Sequence, residues 1–207
     1  MSRRRRNAIF AAGLLLLAVL IWFDRGTIRR TWHRRPKSGE KAKAYDFEEY
    51  HGKTFTIIKV VDGDTIDIDV PDGKYKHTRI RLLGIDAPET RSGTSGTIYF
   101  GREASEFANE LVLGKKVTVY LDEQNRTRGY YGRLLAYVQL PDRNFLNEVL
   151  VAEGFAYADL RFRHNFYHKY QDLQASARRQ RKGLWEKVTR EQMPEWLQRK
   201  KPNLLNK

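Results

Sequence analysis

The chain has 207 residues, 41% of them apolar, and no cysteine; this is enough for one domain with its own core and excludes disulfides, thiolate metal sites and cysteine nucleophiles. The formal net charge of +14 sits at the ends: residues 1–43 hold 12 Lys/Arg against two acids, residues 178–207 hold ten against three, and residues 44–177 hold 17 against 20. The middle of the chain is slightly acidic, so any recognition of phosphate must come from a few placed arginines rather than from bulk charge.

Arg3 to Arg6 precede an uninterrupted apolar or small-residue run, Ala8 to Phe23 (AIFAAGLLLLAVLIWF). At about 1.5 Å rise per residue that run makes roughly 24 Å of helix, somewhat short of a hydrocarbon core of about 30 Å. Arg6 and Arg25 are placed to snorkel from its ends, and Trp22 suits an interface. A charged start before a short apolar run also fits a cleaved signal sequence, but Trp22-Phe23-Asp24-Arg25 in place of small residues favours an uncleaved transmembrane helix within residues 1–23. Arginines flank both sides of the run, so charge does not choose its orientation. Residues 24–44 read as a basic, polar linker containing Pro36 and Gly39.

From Thr54 the pattern becomes that of strands. Thr54–Val61 (TFTIIKVV) and Thr65–Val70 (TIDIDV) are rich in β-branched residues, and the second alternates strictly. Asp72-Gly73 is a turn signal before a third strand, His77–Leu83. Gly101–Leu113 reads as a helix, with Ala104, Phe107, Ala108 and Leu111 at helical spacing and Gly114 as its stop. Val117–Leu121 and Leu134–Leu140 read as strands, Phe145–Ala152 as a short helix ending at Gly154, and Tyr167–Arg181 as a last helix closed by Gly183. The order gives an α+β domain over residues 45–187, with five short strands suited to an OB-like β-barrel and three helices. Residues 188–207 read as a basic, solvated C-terminal tail.

Three segments carry groups suited to chemistry. Val61-Asp62-Gly63-Asp64-Thr65 lies between two strands, where Asp-Gly taken alone reads as a hairpin turn with positive φ. Arg81-Leu82-Leu83-Gly84-Ile85-Asp86-Ala87-Pro88-Glu89-Thr90 leaves the sheet as extended chain, because Pro88 disfavours helix at Ala87; Asp86 and Glu89 then project from a loop. Tyr130-Tyr131-Gly132-Arg133-Leu134-Leu135-Ala136-Tyr137 puts an arginine at the opening of a strand. Carboxylates hold a hard cation such as Ca²⁺ or Mg²⁺, a free carboxylate activates water, and guanidinium forks bind phosphate oxygens. Together these are the parts needed for phosphodiester hydrolysis. The bland alternative is that Arg81 and Arg133 pair with surface acids.

The ordered set VDGDT, RLLGIDAPET, YFGREAS, YGRLLAYV, NEVLVAEGFAY and GLW resembles the staphylococcal nuclease (thermonuclease) family over roughly Thr54 to Trp185. The resemblance implies one Ca²⁺ held by Asp64, Asp86 and the main-chain carbonyl of Ala87. It implies Glu89 as general base, Arg81 and Arg133 as phosphate-binding arginines, Asp62 as an acid behind the metal ligands and Tyr131 as a contact to a neighbouring phosphate. Ala87 stands where the best-known member has threonine, a change that a carbonyl ligand survives. The implied activity is hydrolysis of DNA and RNA with little sequence preference, leaving 3′-phosphate ends. A catalytic domain held outside the cytoplasm by residues 8–23 agrees with that activity, since a non-specific nuclease facing the genome is hazardous and free calcium is scarce in cytosol. No obligate protein partner is implied. The rival is an OB-fold nucleic-acid-binding module without turnover.

Two departures from the family pattern bear on substrate contacts. Arg91–Ile98 is rich in Ser, Gly and Thr rather than lysine. Leu160 stands where the family stacks a base on tyrosine, leaving Phe162 or Tyr157 as substitutes. His164 and His168, four apart, have no Glu in HEXXH register and no third ligand, so they read as plain surface residues.

Overall fold

The computed structural model describes residues 39–90 and 98–205. The apolar run at 8–23, most of the basic linker and nearly all of the 91–98 loop lie outside the described residues. Among those described, no helix is long and apolar enough to cross a membrane.

The strands are β1 (Lys53–Asp62), β2 (Thr65–Ile68), β3 (Thr78–Leu82), β4 (Ile85–Asp86), β5 (Lys116–Tyr120), β6 (Leu134–Gln139) and β7 (Tyr157–Ala158). Five of them close into a barrel in the order β1-β2-β3-β6-β5, while β4 and β7 form a separate two-stranded ribbon. β1 serves two neighbours: Lys53–Thr56 pair with β5, and Ile57–Asp62 pair with β2. Register shifts between Ile57 and Lys59 and between Val60 and Asp62 bend the strand, the usual device for turning a barrel corner. All barrel pairs are antiparallel except β3 and β6, which run parallel with Arg81 opposite Leu135. Ile57, Ile66, Ile68, Ile80, Leu134 and Val138 are buried in the core. The β-branched alternation read from the sequence is what puts them there.

The described helices are α1 (Glu40–Tyr50), α2 (Gly101–Val112), α3 (Leu146–Ala152), α4 (Tyr167–Arg179) and α5 (Glu195–Lys200), with a 3₁₀ turn at Gly183–Glu186. α2 lays Ala104, Ala108 and Val112, four residues apart, into the core and packs on β1, while α3 packs on α4 and β6. The three expected helices and five barrel strands are all present, with ends within two residues of their expected positions. α1 and α5 are additional.

Both additions correct the domain reading. α1 begins at Glu40, inside the stretch read as linker, and buries Ala42, Asp46 and Tyr50. It lacks a strong apolar stripe because polar partners hold it. Buried Asp46 accepts from Thr127 Oγ1 (2.6 Å) and from Arg128 Nε (3.0 Å) and Nη2 (2.8 Å). Arg128 also pairs with Asp72 and donates to the carbonyl of Gly132 (3.1 Å), while its guanidinium lies over the Tyr50 ring. At the other end, residues 188–205 are not a free charged tail: Val188, Met193, Trp196 and Leu197 are buried.

The strict alternation of β2 also misleads at one position. Asp67, on the strand's polar side, is fully buried, because Arg79 binds both its oxygens (2.7 and 2.9 Å) and His77 Nε2 lies 3.2 Å away. Arg128 tests how much such buried pairing matters. Replacing it with Met removes one cation from beside two carboxylates and should cost about 3–5 kcal/mol, read as a lower midpoint in urea unfolding. The exposed pair Arg102–Glu106 offers a control: Arg102→Met should leave the midpoint where it is.

Candidate active site

Three elements meet at one end of the barrel: the β1–β2 turn at 62–65, the loop 86–90 and the start of α2. Two glycines permit the meeting. A Cβ on Gly63 would sit 2.7 Å from the Ala87 Cβ and 3.0 Å from the Ala104 Cβ. Gly63 lacks the positive φ expected of an Asp-Gly turn; its missing side chain serves close packing instead. A Cβ on Gly101 would lie 2.0 Å from the Glu89 carbonyl oxygen. The YFGREAS helix start is therefore seated directly on the backbone that presents Glu89.

Asp64 is almost fully buried and fixed at both oxygens. Oδ1 accepts from Thr65 Oγ1 (3.1 Å) and Oδ2 from the N–H of Ala87 (2.7 Å). Arg81, near the end of β3, touches Asp64 Oδ2 through Nη1 and donates to Asp86 Oδ1 through Nη2 at 2.5 Å. Asp86, on β4, is held further by Arg161 Nη2 at 3.2 Å from Oδ1 and by Trp196 Nε1, which donates to Oδ2 at 2.7 Å. The two predicted metal-ligating carboxylates thus converge on a single guanidinium. Burial presses the pKa of Arg81 down, while Asp86 and Asp62 hold it up.

Glu89 is exposed on the loop, and its carboxyl is held above the ordinary range, first by desolvation and then by the negative charge of Asp62. Asp86 adds to that effect, while Arg81 and Arg133 oppose it. Asp62 is likewise raised by burial, with Arg81, Thr65 and Arg133 acting against it; its Oδ1 accepts from the N–H of Asp64 (3.1 Å). Arg133 reaches Thr65 Oγ1 only at 3.5 Å, so most of its donors stay available. Its guanidinium lies 5.9 Å from the centre of the Tyr131 ring, which is 80% exposed. Arg81, Asp86, Glu89 and Arg133 therefore share one electrostatic neighbourhood with Asp62 and Asp64, and Tyr131 flanks it.

Among the described residues no three His, Cys, Asp or Glu side chains form a ready cage for a metal. The candidate donors are two carboxylates, Asp64 and Asp86, plus the carbonyl of Ala87. The two carboxylates are already oriented toward one cationic group, and this hard oxygen set fits Ca²⁺, which tolerates irregular oxygen sets completed by water. Arg161 and Trp196 join the site from outside the three segments that carry its motifs. Two other expectations are corrected. His164 is buried, with Nδ1 3.1 Å from the Tyr137 hydroxyl, and it precedes the helix that carries His168. Tyr157 is buried, edge-on to Trp185, so of the two stacking substitutes only Phe162, 58% exposed, presents a ring to solvent.

Residues 79–187 match the family described as staphylococcal nuclease homologue, over half of the chain. The chain belongs to the staphylococcal nuclease family. A thermonuclease of Staphylococcus hyicus is 37% identical over 134 residues, 64% of this chain and 76% of the relative. An uncharacterized endonuclease of Escherichia coli O157:H7 is 34% identical over 157 residues, 73% of this chain and 86% of the relative. A thermonuclease of Staphylococcus intermedius is 34% identical over 146 residues, covering 67% and 80%. Arg81, Asp86, Glu89 and Arg133 fall inside the family match. Asp62 and Asp64 precede it and are tied to it by the Asp64–Ala87 hydrogen bond.

Proposed function

We propose that this member of the staphylococcal nuclease family is a calcium-dependent endonuclease, hydrolysing DNA and RNA with little sequence preference and leaving 3′-phosphate ends. The observation that carries the reading is the convergence of Asp64, Asp86, Glu89, Arg81 and Arg133 at one end of the barrel, within a family whose relatives are named as nucleases. Asp64, Asp86 and the Ala87 carbonyl would hold Ca²⁺, which when bound supplies positive charge against the scissile phosphate. Glu89, exposed on the loop beside the metal ligands, takes the proton from the attacking water. Arg133 and Arg81 bind the phosphate oxygens and stabilise the negative charge that grows on them. The 5′-oxygen leaves opposite the water. Tyr131, beside Arg133, contacts a neighbouring phosphate, a contact that positions the strand without reading its sequence.

The test is plasmid DNA incubated with the purified chain in Ca²⁺, in Mg²⁺ alone and in chelator. Hydrolysis is expected only with Ca²⁺, because a loop-built site suits flexible coordination better than strict octahedral geometry. Full activity in Mg²⁺ or chelator overturns the calcium assignment, and binding without any cleavage makes the chain a binding module.

We propose further that residues 8–23 tether the domain outside the cytoplasm. The support is the apolar run itself and the hazard of an unspecific nuclease beside the genome. Protease added to spheroplasts should digest the domain while a cytoplasmic marker survives; full protection of both refutes the placement.

A further inference from the structure

We infer that the C-terminal segment is part of the catalytic apparatus, with Trp196 acting as a positioning residue for the carboxylate of Asp86. This rests on the calcium-dependent reading above. Asp86 lies on the two-residue strand β4, whose pairing with β7 is limited to Ile85–Ala158 and Asp86–Tyr157. So short a ribbon fixes the backbone but leaves the carboxylate free to rotate. Donors from three separate elements remove that freedom. Arg81 comes from β3, Arg161 from the loop after β7, and Trp196 from α5, 110 residues along the chain.

The division between the two oxygens is what matters. Oδ1 receives both guanidinium groups and faces the Arg81–Asp64 pair, the side on which the cation is expected. Oδ2 is turned the other way and takes the indole N–H at 2.7 Å. An indole N–H is a neutral donor with no acceptor capacity. It can orient a carboxylate without competing as a charge for the metal, which a lysine or arginine in its place would do.

Trp196 is itself fixed. It is 9% exposed, Leu197 beside it is fully buried and Met193 nearly so. Arg161 lies over its ring at 4.9 Å while gripping Asp159 through Nε and Nη2, both at 2.9 Å. Lys200 closes the segment by donating to the carbonyl of Leu160. The N–H of Asp159 in turn reaches the carbonyl of Gly84, next to β4 (2.9 Å). The helix that supplies the indole and the loop that supplies Arg161 are thus braced on each other and on the backbone entering Asp86. A donor held this firmly orients a metal ligand at the moment of binding, and loss of such outer partners typically weakens metal affinity about 10–100-fold.

The test uses the whole chain in mild detergent, with Ca²⁺ itself as the probe and no substrate present. Trp196→Phe leaves an aromatic ring, though a smaller one, beneath Arg161 and deletes the N–H. Calorimetric titration should give a calcium Kd raised about 10–100-fold. A packing role predicts the reverse: an unchanged Kd with a lower melting temperature in chelator. Should the variant not fold, the wild-type indole N–H resonance of Trp196 decides the matter. It should shift during calcium titration with the calorimetric Kd, and an indole blind to calcium overturns the inference. Wild type that binds no calcium overturns the underlying reading instead. Wild type and folded Trp196→Phe binding calcium equally overturn the inference alone.

Discussion

Replacing Glu89 with Gln should lower kcat by about 10²–10⁴, the range expected when a positioned general base is removed and its shape kept. Glu89 is solvent-exposed and outside the core, so folding should survive, and DNA should still be retained in a gel shift. The pH profile gives a second signature. Without metal, partial desolvation by the surrounding loop and the neighbouring Asp62 and Asp86 charges hold the Glu89 carboxyl above its ordinary range. A base must be unprotonated to act, so wild-type turnover falls as pH drops through the pKa that Glu89 has in the calcium-loaded enzyme. The residual rate of Glu89→Gln should lack this acid limb. Equal cleavage by both proteins at every pH would place the activity at another site.

Arg133→Ala should cost about 10²–10³ in kcat, the usual loss when one preorganised donor to a developing oxyanion is deleted. Among the described residues its side chain donates only a long hydrogen bond to Thr65, so stability should change little and the loss should be chemical. Arg133→Lys keeps the charge but not the planar fork, and should recover only part of the rate. Both variants must be compared with wild type at one calcium and salt concentration, because polyanion binding depends steeply on salt. Full recovery by lysine would mean that charge alone, not bidentate geometry, is what the site uses.

The barrel was legible because its strands need β-branched residues facing inward, and Ile57, Ile66, Ile68 and Ile80 display that need directly. The segments of the site stand out through the ordered motifs that resemble one family, but the close packing at Gly63, Ala87 and Gly101 was not legible, because Asp-Gly reads as a positive-φ turn. α1 was not legible. Its attachment runs through Asp46, Thr127 and Arg128, and a helix held by long-range polar partners carries no apolar stripe of its own. The C-terminal segment did carry a signal, since Met193, Trp196 and Leu197 stand three and four apart, as on one helix face. Its ten-to-three excess of bases over acids obscured that pattern. Asp67 shows the limit of alternation, because a polar position in a strand reads as exposed until Arg79 and His77 are known to cover it.

The parallel pairing of β3 with β6 has a kinetic consequence. It is the contact that brings Arg81 and Arg133 onto one end of the barrel, and it joins positions 54 residues apart in sequence. Closing so large a loop is slow compared with forming the β1–β2 hairpin. During refolding, the Asp62–Asp64 turn can form early while the two guanidinium groups are still far apart. The two guanidinium groups therefore come together only once that loop has closed, and the β1–β5 and β4–β7 pairings close longer loops still.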